Sequence, residues 1–309
     1  MELSLEKYKG VIVPMVTPFD KQGKIDIILA EKLINFLLDN HTIPFVLGTT
    51  GEGGLIPVSE REDLIKILIE NKRDGYPAIA GVIGLTFADT VSQANKYFKL
   101  GVDSVVVTLP GYYELTNNQI YNYYSSLANN IYGDMIIYNI PKTVHQSIPV
   151  DIIEQLSYMD NIIGIKDSEN NQKRLEYSLT LWKERKDFFH LTGVNTLILK
   201  GFKQGSKGMI PSTGNIVPGL YIELYENYIK GDFPEAEKIF NQSAKWSRLY
   251  QKDNTLGESL AALKFVMSRM DLCSPHMMLP LTEIGDEDKT RIYKEFKKLI
   301  AEDDKYLIS

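Results

Sequence analysis

The chain has 309 residues, of which 44% are hydrophobic and 24% are charged, as in a soluble globular protein with one large domain or two ordinary ones. Its net charge of −6 argues against nucleic-acid binding, and no apolar run approaches the roughly 18 residues of a membrane span. Cys273 is the one cysteine, which excludes an internal disulfide. This usage fits a reducing cytoplasm, and we also expect no signal peptide, so we predict a cytoplasmic protein.

Eight short apolar runs predict eight β-strands. They cover residues 11–19, 43–50, 78–84, 104–110, 135–141, 162–167, 188–193 and 207–213. Segments with helical periodicity follow them, at residues 26–40, 59–73, 86–101, 116–130, 149–158, 170–185, 195–205 and 217–231. This alternation predicts an α/β protein with a (β/α)8 TIM barrel. A doubly wound open sheet is the alternative, but DKQGK after the first run is not a glycine-rich nucleotide turn.

Local signals mark several ends of the predicted helices. Ser59 and Glu62 form a capping-box pattern, and Gly101 and Gly231 stand where C-cap glycines usually do. Residues 233–302 contain further helical patterns. We therefore predict a barrel over residues 1–232 and a C-terminal helical subdomain over residues 233–309 that packs on the barrel.

A lysine ends the sixth predicted strand, IIGIKD. A desolvated lysine stays partly neutral, so that its amine can attack a carbonyl. The alternative is that Lys166 extends to solvent or pairs with Asp167. Catalytic side chains of (β/α)8 barrels lie at the carboxyl ends of the strands, where Lys166 stands. The residues at the other strand ends therefore decide between the two interpretations.

Three other predicted strands end in chemically useful residues. The second ends in GTTGEGG (48–54), which could also be a flexible turn. Tyr112 and Tyr113 follow the fourth strand, and Tyr138 lies at the end of the fifth, where it could also be a core aromatic. Because these groups converge with Lys166 on one rim, we predict an active site there.

Four motifs together resemble the family of dihydrodipicolinate synthase and N-acetylneuraminate lyase, which are pyruvate-dependent class I aldolases. They are GTTGE (48–52), YNIP (138–141), GIKDS (164–168) and PSTGN (211–215). The resemblance extends over the whole chain. It implies that Lys166 forms a Schiff base with the keto carbon of pyruvate and that Tyr138 relays protons.

The resemblance also implies roles for other residues. Thr49 and Thr50 would hold the pyruvate carboxylate and orient the tyrosine, with Gly51 beside them in the substrate site. Tyr112 would reach the site of a neighbouring subunit in a homotetramer built as a dimer of dimers. The covalent lysine–pyruvate imine would need no metal and no organic cofactor. The four histidines, His41, His145, His190 and His276, also lack the spacing of metal ligands.

The aldehyde partner is predicted from departures from the family patterns. Thr143 stands where dihydrodipicolinate synthases typically have an arginine for the carboxylate of aspartate semialdehyde, and Lys142 cannot make the same planar contact. The residues after Lys166 resemble 2-keto-3-deoxygluconate aldolases. We therefore predict cleavage of 2-keto-3-deoxygluconate, or a related unphosphorylated sugar acid, to pyruvate and an aldehyde. The predicted polyol-binding residues are Asp167, Ser168, Gly193, Asn195, Ser212 and Thr213.

Several alternatives stay open. Dihydrodipicolinate synthase would condense pyruvate with aspartate semialdehyde, and N-acetylneuraminate lyase is a further member of the family. A non-catalytic sensor of keto acids would be expected to lack Lys166 or Tyr138, and both are present. A phosphosugar isomerase would use a glutamate base and a glycine-rich phosphate cradle. His145 lies near the predicted mouth of the barrel, and its role is open.

Overall fold

A computed structural model describes residues 5–84, 86–303 and 306. Eight parallel strands close into a barrel in which each strand pairs with the next and β8 pairs with β1. The strands are β1 Gly10–Pro14, β2 Ile43–Val46, β3 Ile79–Val82, β4 Ser104–Thr108, β5 Asp134–Asn139, β6 Ile162–Asp167, β7 Phe189–Thr192 and β8 Gly208–Met209. The predicted (β/α)8 barrel is confirmed, and the open sheet is wrong.

The helices surround the barrel and continue beyond it. Those of the barrel are α1 Ile27–Asp39, α2 Val58–Glu70, α3 Phe87–Leu100, α4 Asn117–Asn130, α5 Pro141–Val144, α6 Val150–Leu156, α7 Gln172–Trp182, α8 Ile198–Gln204 and α9 Pro218–Lys230. They are followed by α10 Phe233–Gln251, α11 Leu256–Ser268 and α12 Asp286–Asp303. None of the described helices is long and apolar enough to cross a bilayer.

The predicted helix ends are confirmed at the glycines and wrong at the capping box. Gly101 and Gly231 end α3 and α9 with left-handed φ angles of 106° and 82°, which a residue with a side chain rarely adopts. Helix α2 begins one residue before Ser59, and the residue before it, Pro57, makes no side-chain cap. Ser59 therefore lies inside the helix and does not cap it.

Two apolar layers hold the barrel together. One fills its interior and includes Ile12, Phe45, Ile79, Val106, Ile136, Tyr138, Ile163, Phe189 and Leu191. The other lies between strands and helices, and it includes Val11 and Val13 on either side of Ile12 in β1. Successive side chains of a strand point to opposite faces. Since both faces of the barrel are covered, its strands are almost continuously apolar.

A β-bulge in β6 determines which of its side chains face the interior. Ile162 pairs with Met135, whereas Gly164 pairs with the very next residue of β5, so Ile163 is an extra residue. An extra residue reverses the side-chain alternation beyond it. Without the bulge, Lys166 would point towards the helices. The bulge therefore aims Lys166 into the barrel.

The helices after residue 232 pack on one another and on the barrel. Helix α10 contacts α9 and α11, and α12 contacts both α10 and α11. The rings of Trp246 and Phe296 meet edge to face at 6.2 Å, and the indole N–H of Trp246 donates to Asp303 at 3.1 Å. The division of the chain at residue 232 stays a prediction. Residues 304, 305 and 307–309 of the predicted subdomain lie outside the described residues.

Candidate active site

Lys166 is buried at the carboxyl end of β6, with 3% of its surface exposed. Its Nζ lies 3.8 Å from the ring centroid of Tyr138 and 5.0 Å from that of Phe45. Desolvation lowers the pKa of this amine, and Tyr138 opposes the shift in part. A buried amine of lowered pKa is what nucleophilic attack on a carbonyl requires. The alternative interpretation of the sequence, in which Lys166 extends to solvent, is therefore wrong.

Tyr138 and Thr49 extend this arrangement across the barrel. Tyr138 is directly opposite Lys166 in the β5–β6 register, and both side chains face inward. The Tyr138 hydroxyl lies 3.3 Å from Oγ1 of Thr49, which comes from the loop after β2. The structure thus brings together three of the four residues predicted to be catalytic.

The GTTGE loop that contains Thr49 and Thr50 is tightly held. The Thr17 hydroxyl donates to the carbonyl oxygen of Gly51 at 2.7 Å. A Cβ atom on Gly51 would stand 2.8 Å from the carbonyl oxygen of Met15, so only glycine fits there without movement. Thr50 is itself buried at 9% exposure. These contacts fix the position of both threonines.

A buried ion pair, which the sequence reasoning missed, anchors the same loop to α11. Lys264 Nζ lies 2.8 Å from Oε1 of Glu52, and neither side chain is exposed. The other carboxylate oxygen of Glu52 accepts the backbone N–H of Met278 at 2.8 Å. The Lys264 amine also lies 4.2 Å from the ring centroid of Phe19. A lysine within the apolar run LAALKFVM was the one available signal for this contact.

Asp167 faces away from Lys166. One oxygen of its carboxylate accepts from Arg174 Nε at 2.7 Å, and the other accepts from Asn139 Nδ2 at 2.9 Å. Arg174 is 9% exposed and belongs to α7, outside the barrel. The alternative in which Lys166 pairs with Asp167 is therefore wrong. The role of Asp167 as a polyol ligand stays a prediction, and its carboxylate already accepts hydrogen bonds from Arg174 and Asn139.

Four of the other five predicted polyol residues form two pairs. Ser168 and Gly193 lie side by side, since a Cβ on Gly193 would stand 2.2 Å from Ser168 Oγ. Ser212 and Thr213 both have hydroxyls near the buried Tyr250 hydroxyl of α10, at 2.7 and 3.0 Å.

Asn195 adds a separate contact, because its amide oxygen accepts from the Tyr221 hydroxyl at 2.9 Å. Thus Asn195, Ser212 and Thr213 all have partners within the chain. Their binding of substrate stays a prediction.

Tyr112 is an exposed residue, whereas Lys166 and the ring of Tyr138 beside it are buried. Tyr112 is 88% exposed and meets Tyr113 edge to face at 4.8 Å. Its insertion into a neighbouring subunit, like the homotetramer, stays a prediction. His145 is exposed and ends α5 with a left-handed φ of 57°. Among the described residues there is no group of three or more His, Cys, Asp or Glu that could hold a metal ion.

Comparison with known proteins identifies relatives with the same fold and length. Residues 7–299 match the Dihydrodipicolinate synthetase family. A 4-hydroxy-tetrahydrodipicolinate synthase of Methanosarcina mazei is 29% identical over 294 residues, 94% of this chain and 98% of that protein. The crystal structure of dihydrodipicolinate synthase from Aquifex aeolicus has a TM-score of 0.86 at 27% identity, and the match covers 97% of this chain and 100% of that one.

A sialic acid aldolase of Ruminococcus gnavus, solved as a catalytic lysine mutant, has a TM-score of 0.88 at 23% identity over 98% of this chain and 99% of that one. This likeness concerns the fold alone. The relatives do not support the predicted 2-keto-3-deoxygluconate aldolase branch, but they do support the family that the four motifs indicated. The chain therefore belongs to the dihydrodipicolinate synthetase family, an enzyme family of lyases of the class I aldolase type.

Proposed function

We propose that Lys166 forms an imine with the keto carbon of pyruvate and that the chain uses this imine to join or cleave pyruvate and an aldehyde. The observation that carries the proposal is the buried amine of Lys166, 3.8 Å above the ring of Tyr138. Burial lowers the pKa of the amine and so makes the neutral nucleophile available. The site needs no organic cofactor for this chemistry, since the lysine supplies the electron sink.

The reaction proceeds by proton transfers close to Tyr138. Attack by the amine and loss of water give an iminium, which withdraws electrons from the neighbouring methyl carbon. Loss of a proton there gives an enamine, and its carbon attacks the aldehyde. Tyr138 contacts both Lys166 and Thr49, and this position supports the proposal that its phenol relays these protons. Water then hydrolyses the imine, releases the product and restores the amine.

Thr49 and Thr50 are proposed to hold the carboxylate of pyruvate. Both belong to a loop fixed by Thr17 and by the Glu52–Lys264 pair. Hydroxyl groups bind a carboxylate without placing a second cation beside the iminium, where it would oppose the positive charge. A rigid loop also holds these donors in place before the substrate arrives.

Among specific reactions, the similarity to 4-hydroxy-tetrahydrodipicolinate synthases favours condensation of pyruvate with aspartate semialdehyde. The sequence analysis had kept this reaction as an alternative behind sugar-acid cleavage. Thr143 still stands where such synthases typically have an arginine. Both reactions share the Lys166 imine, so the proposal of pyruvate aldolase chemistry does not depend on the choice between them.

Trapping of the imine tests the proposal. Reduction by borohydride in the presence of pyruvate should add one reduced pyruvyl group to the peptide that contains Lys166. Lys166→Ala should keep its fold and lose both labelling and turnover. The control is Lys245→Ala, which removes a lysine whose side chain is 53% exposed. Lys264→Ala is unsuitable as a control, because it removes a buried charge. Labelling of another lysine, or none, would contradict the mechanism.

A further inference from the structure

An apolar cavity opens beside the proposed imine site. Its volume is about 390 Å³, within the range of small-molecule sites. Thr49, which contacts the Tyr138 hydroxyl, lines it, and so does Thr108, which pairs with Tyr138 across β4 and β5. The Thr49 side chain thus lies between the cavity and Tyr138, whose ring faces the amine of Lys166. Neither Lys166 nor Tyr138 is among the lining residues of the cavity, so a group bound in the cavity would extend past Thr49 towards the imine.

The walls of this cavity are mostly aliphatic. They are formed by the loops after β2, β3 and β4, by α5 and α11, and by the segment between α11 and α12. The apolar members are Leu55, Ile83, Leu109, Val144, Leu256, Leu260 and Leu281. Of the described lining residues, Glu52 is the one charged group, and its carboxylate is bound by Lys264 and by the N–H of Met278. The described walls offer no arginine or lysine to a carboxylate or phosphate. They offer three threonine hydroxyls, from Thr49, Thr108 and Thr143.

We infer that this cavity binds the substituent of the aldehyde partner and that the substituent is apolar and uncharged, aliphatic or aromatic. The inference rests on the proposed pyruvate imine, and it names the class of the second substrate. It departs from the aspartate semialdehyde reaction that the similarity favours, because that aldehyde carries a charged substituent and the described walls hold no cation for it. A charged substituent would lose its water without gaining an ion pair, and a polyol would leave most hydroxyls unpaired against leucine side chains. An aliphatic or aromatic group, in contrast, gains from burial against the same walls.

The bond changes are those of an aldol addition. The enamine carbon forms a bond to the aldehyde carbon, and the electron pair of the aldehyde C=O moves to its oxygen, which takes a proton and becomes a hydroxyl. Water released on imine formation is matched by water consumed on hydrolysis. Pyruvate and an apolar aldehyde thus give a 4-hydroxy-2-oxo acid with no oxidant, reductant or other reactant. In the cleavage direction the same acid returns both.

The test compares two aldehydes with the same number of non-hydrogen atoms, 3-methylbutanal and D-glyceraldehyde, together with aspartate semialdehyde. Each is incubated with pyruvate and the whole enzyme, and the product is measured by mass spectrometry. The 4-hydroxy-2-oxo acid is counted for all three aldehydes, and its cyclic dehydrated form is counted as well for aspartate semialdehyde, whose amine condenses with the 2-oxo group. We expect kcat/KM for 3-methylbutanal to exceed those of the other two by about 10-fold or more. A higher value for D-glyceraldehyde or for aspartate semialdehyde would overturn the inference.

A matched pair of variants removes the effect of intrinsic aldehyde reactivity. Leu256 is a half-buried wall residue, and Leu256→Gln and Leu256→Met change its polarity at similar volume. The ratio of kcat/KM for 3-methylbutanal to that for D-glyceraldehyde should be about 10-fold lower in Leu256→Gln than in Leu256→Met. Equal ratios in two folded variants would show that the substituent lies elsewhere.

Pyruvate trapping separates failure of this inference from failure of the proposed function. If the wild-type protein traps pyruvate at Lys166 but prefers a polar aldehyde, the inference fails and the imine chemistry stands. If no pyruvate is trapped at Lys166, the proposed function fails and the inference fails with it. Trapping needs no aldehyde, so the two results are read independently.

Discussion

The buried pair Glu52–Lys264 gives the sharpest prediction of stability. Lys264→Met would leave the Glu52 carboxylate, which has no exposed surface, with one remaining donor, the N–H of Met278. Breaking a buried ion pair by removing one partner costs about 3 to 5 kcal/mol. For 309 residues, an unfolding entropy of about 2.1 cal/mol/K per residue converts this to a fall in Tm of roughly 5 to 8 °C.

The double variant Glu52→Gln/Lys264→Met tests the reason for this loss. It removes both charges, so no carboxylate stays buried without its cation, and we expect it to melt higher than Lys264→Met. Melting is followed by circular dichroism at matched protein concentration. Lys245→Met is the control, because its partner Glu302 is 3.1 Å away and both side chains are more than half exposed; it should cost less than about 1 kcal/mol. If Lys264→Met melted like this control, the pair would not stabilise the fold.

Three further predictions concern the catalytic end of the barrel. The rate of pyruvate trapping should rise with pH to a midpoint below the ordinary lysine value of about 10.4, because burial lowers the pKa of Lys166 and the neutral amine persists to lower pH; a midpoint at or above that value would contradict this. Tyr138→Phe should keep part of the trapping yet slow turnover by roughly 10²- to 10⁴-fold, and near-normal turnover would exclude Tyr138 as the relay. Gly164→Ala should lower Tm and trapping, since its Cβ would stand 2.5 Å from the Phe189 ring and 2.7 Å from the Phe189 carbonyl oxygen. Gly164→Ala/Phe189→Leu should recover the part of the loss that comes from the ring, and an unchanged Tm in Gly164→Ala would show that β7 moves to admit the methyl group.

The fold was predictable because burial leaves a periodic record in the sequence. The eight apolar runs correspond to the eight strands. The predicted ends were less accurate, since the first run covers residues 11–19 whereas β1 ends at Pro14. Met15, Val16 and Phe19 beyond it are buried without belonging to a strand. Apolar composition reports burial, and it does not distinguish a buried loop from a paired strand.

The sequence was less informative about which side chains point into the barrel and which point towards the helices. Lys166 and Asp167 are neighbours, yet one faces the barrel interior and the other faces Arg174 on α7. Which of them points inward depends on the extra residue Ile163, and a run of aliphatic residues contains no sign of a bulge. The Glu52–Lys264 contact joins residues 212 positions apart, so the apolar run around Lys264 indicates a buried lysine, and no local pattern identifies its partner.

The sequence therefore reveals the imine-forming end of the proposed site more readily than the end that would bind the aldehyde. The imine end is built from adjacent strands, where Tyr138 and Lys166 are paired by register, so short motifs suffice to recognise it. The proposed aldehyde end is the cavity whose walls come from several loops and from α5 and α11, so its character depends on many side chains that are distant in sequence. A single position such as Thr143 indicates that an arginine is missing, and it does not define the partner. Similarity to a synthase supports the proposed imine chemistry, whereas the proposed partner rests on walls such as Leu256 and Leu260, which have to be examined in the fold.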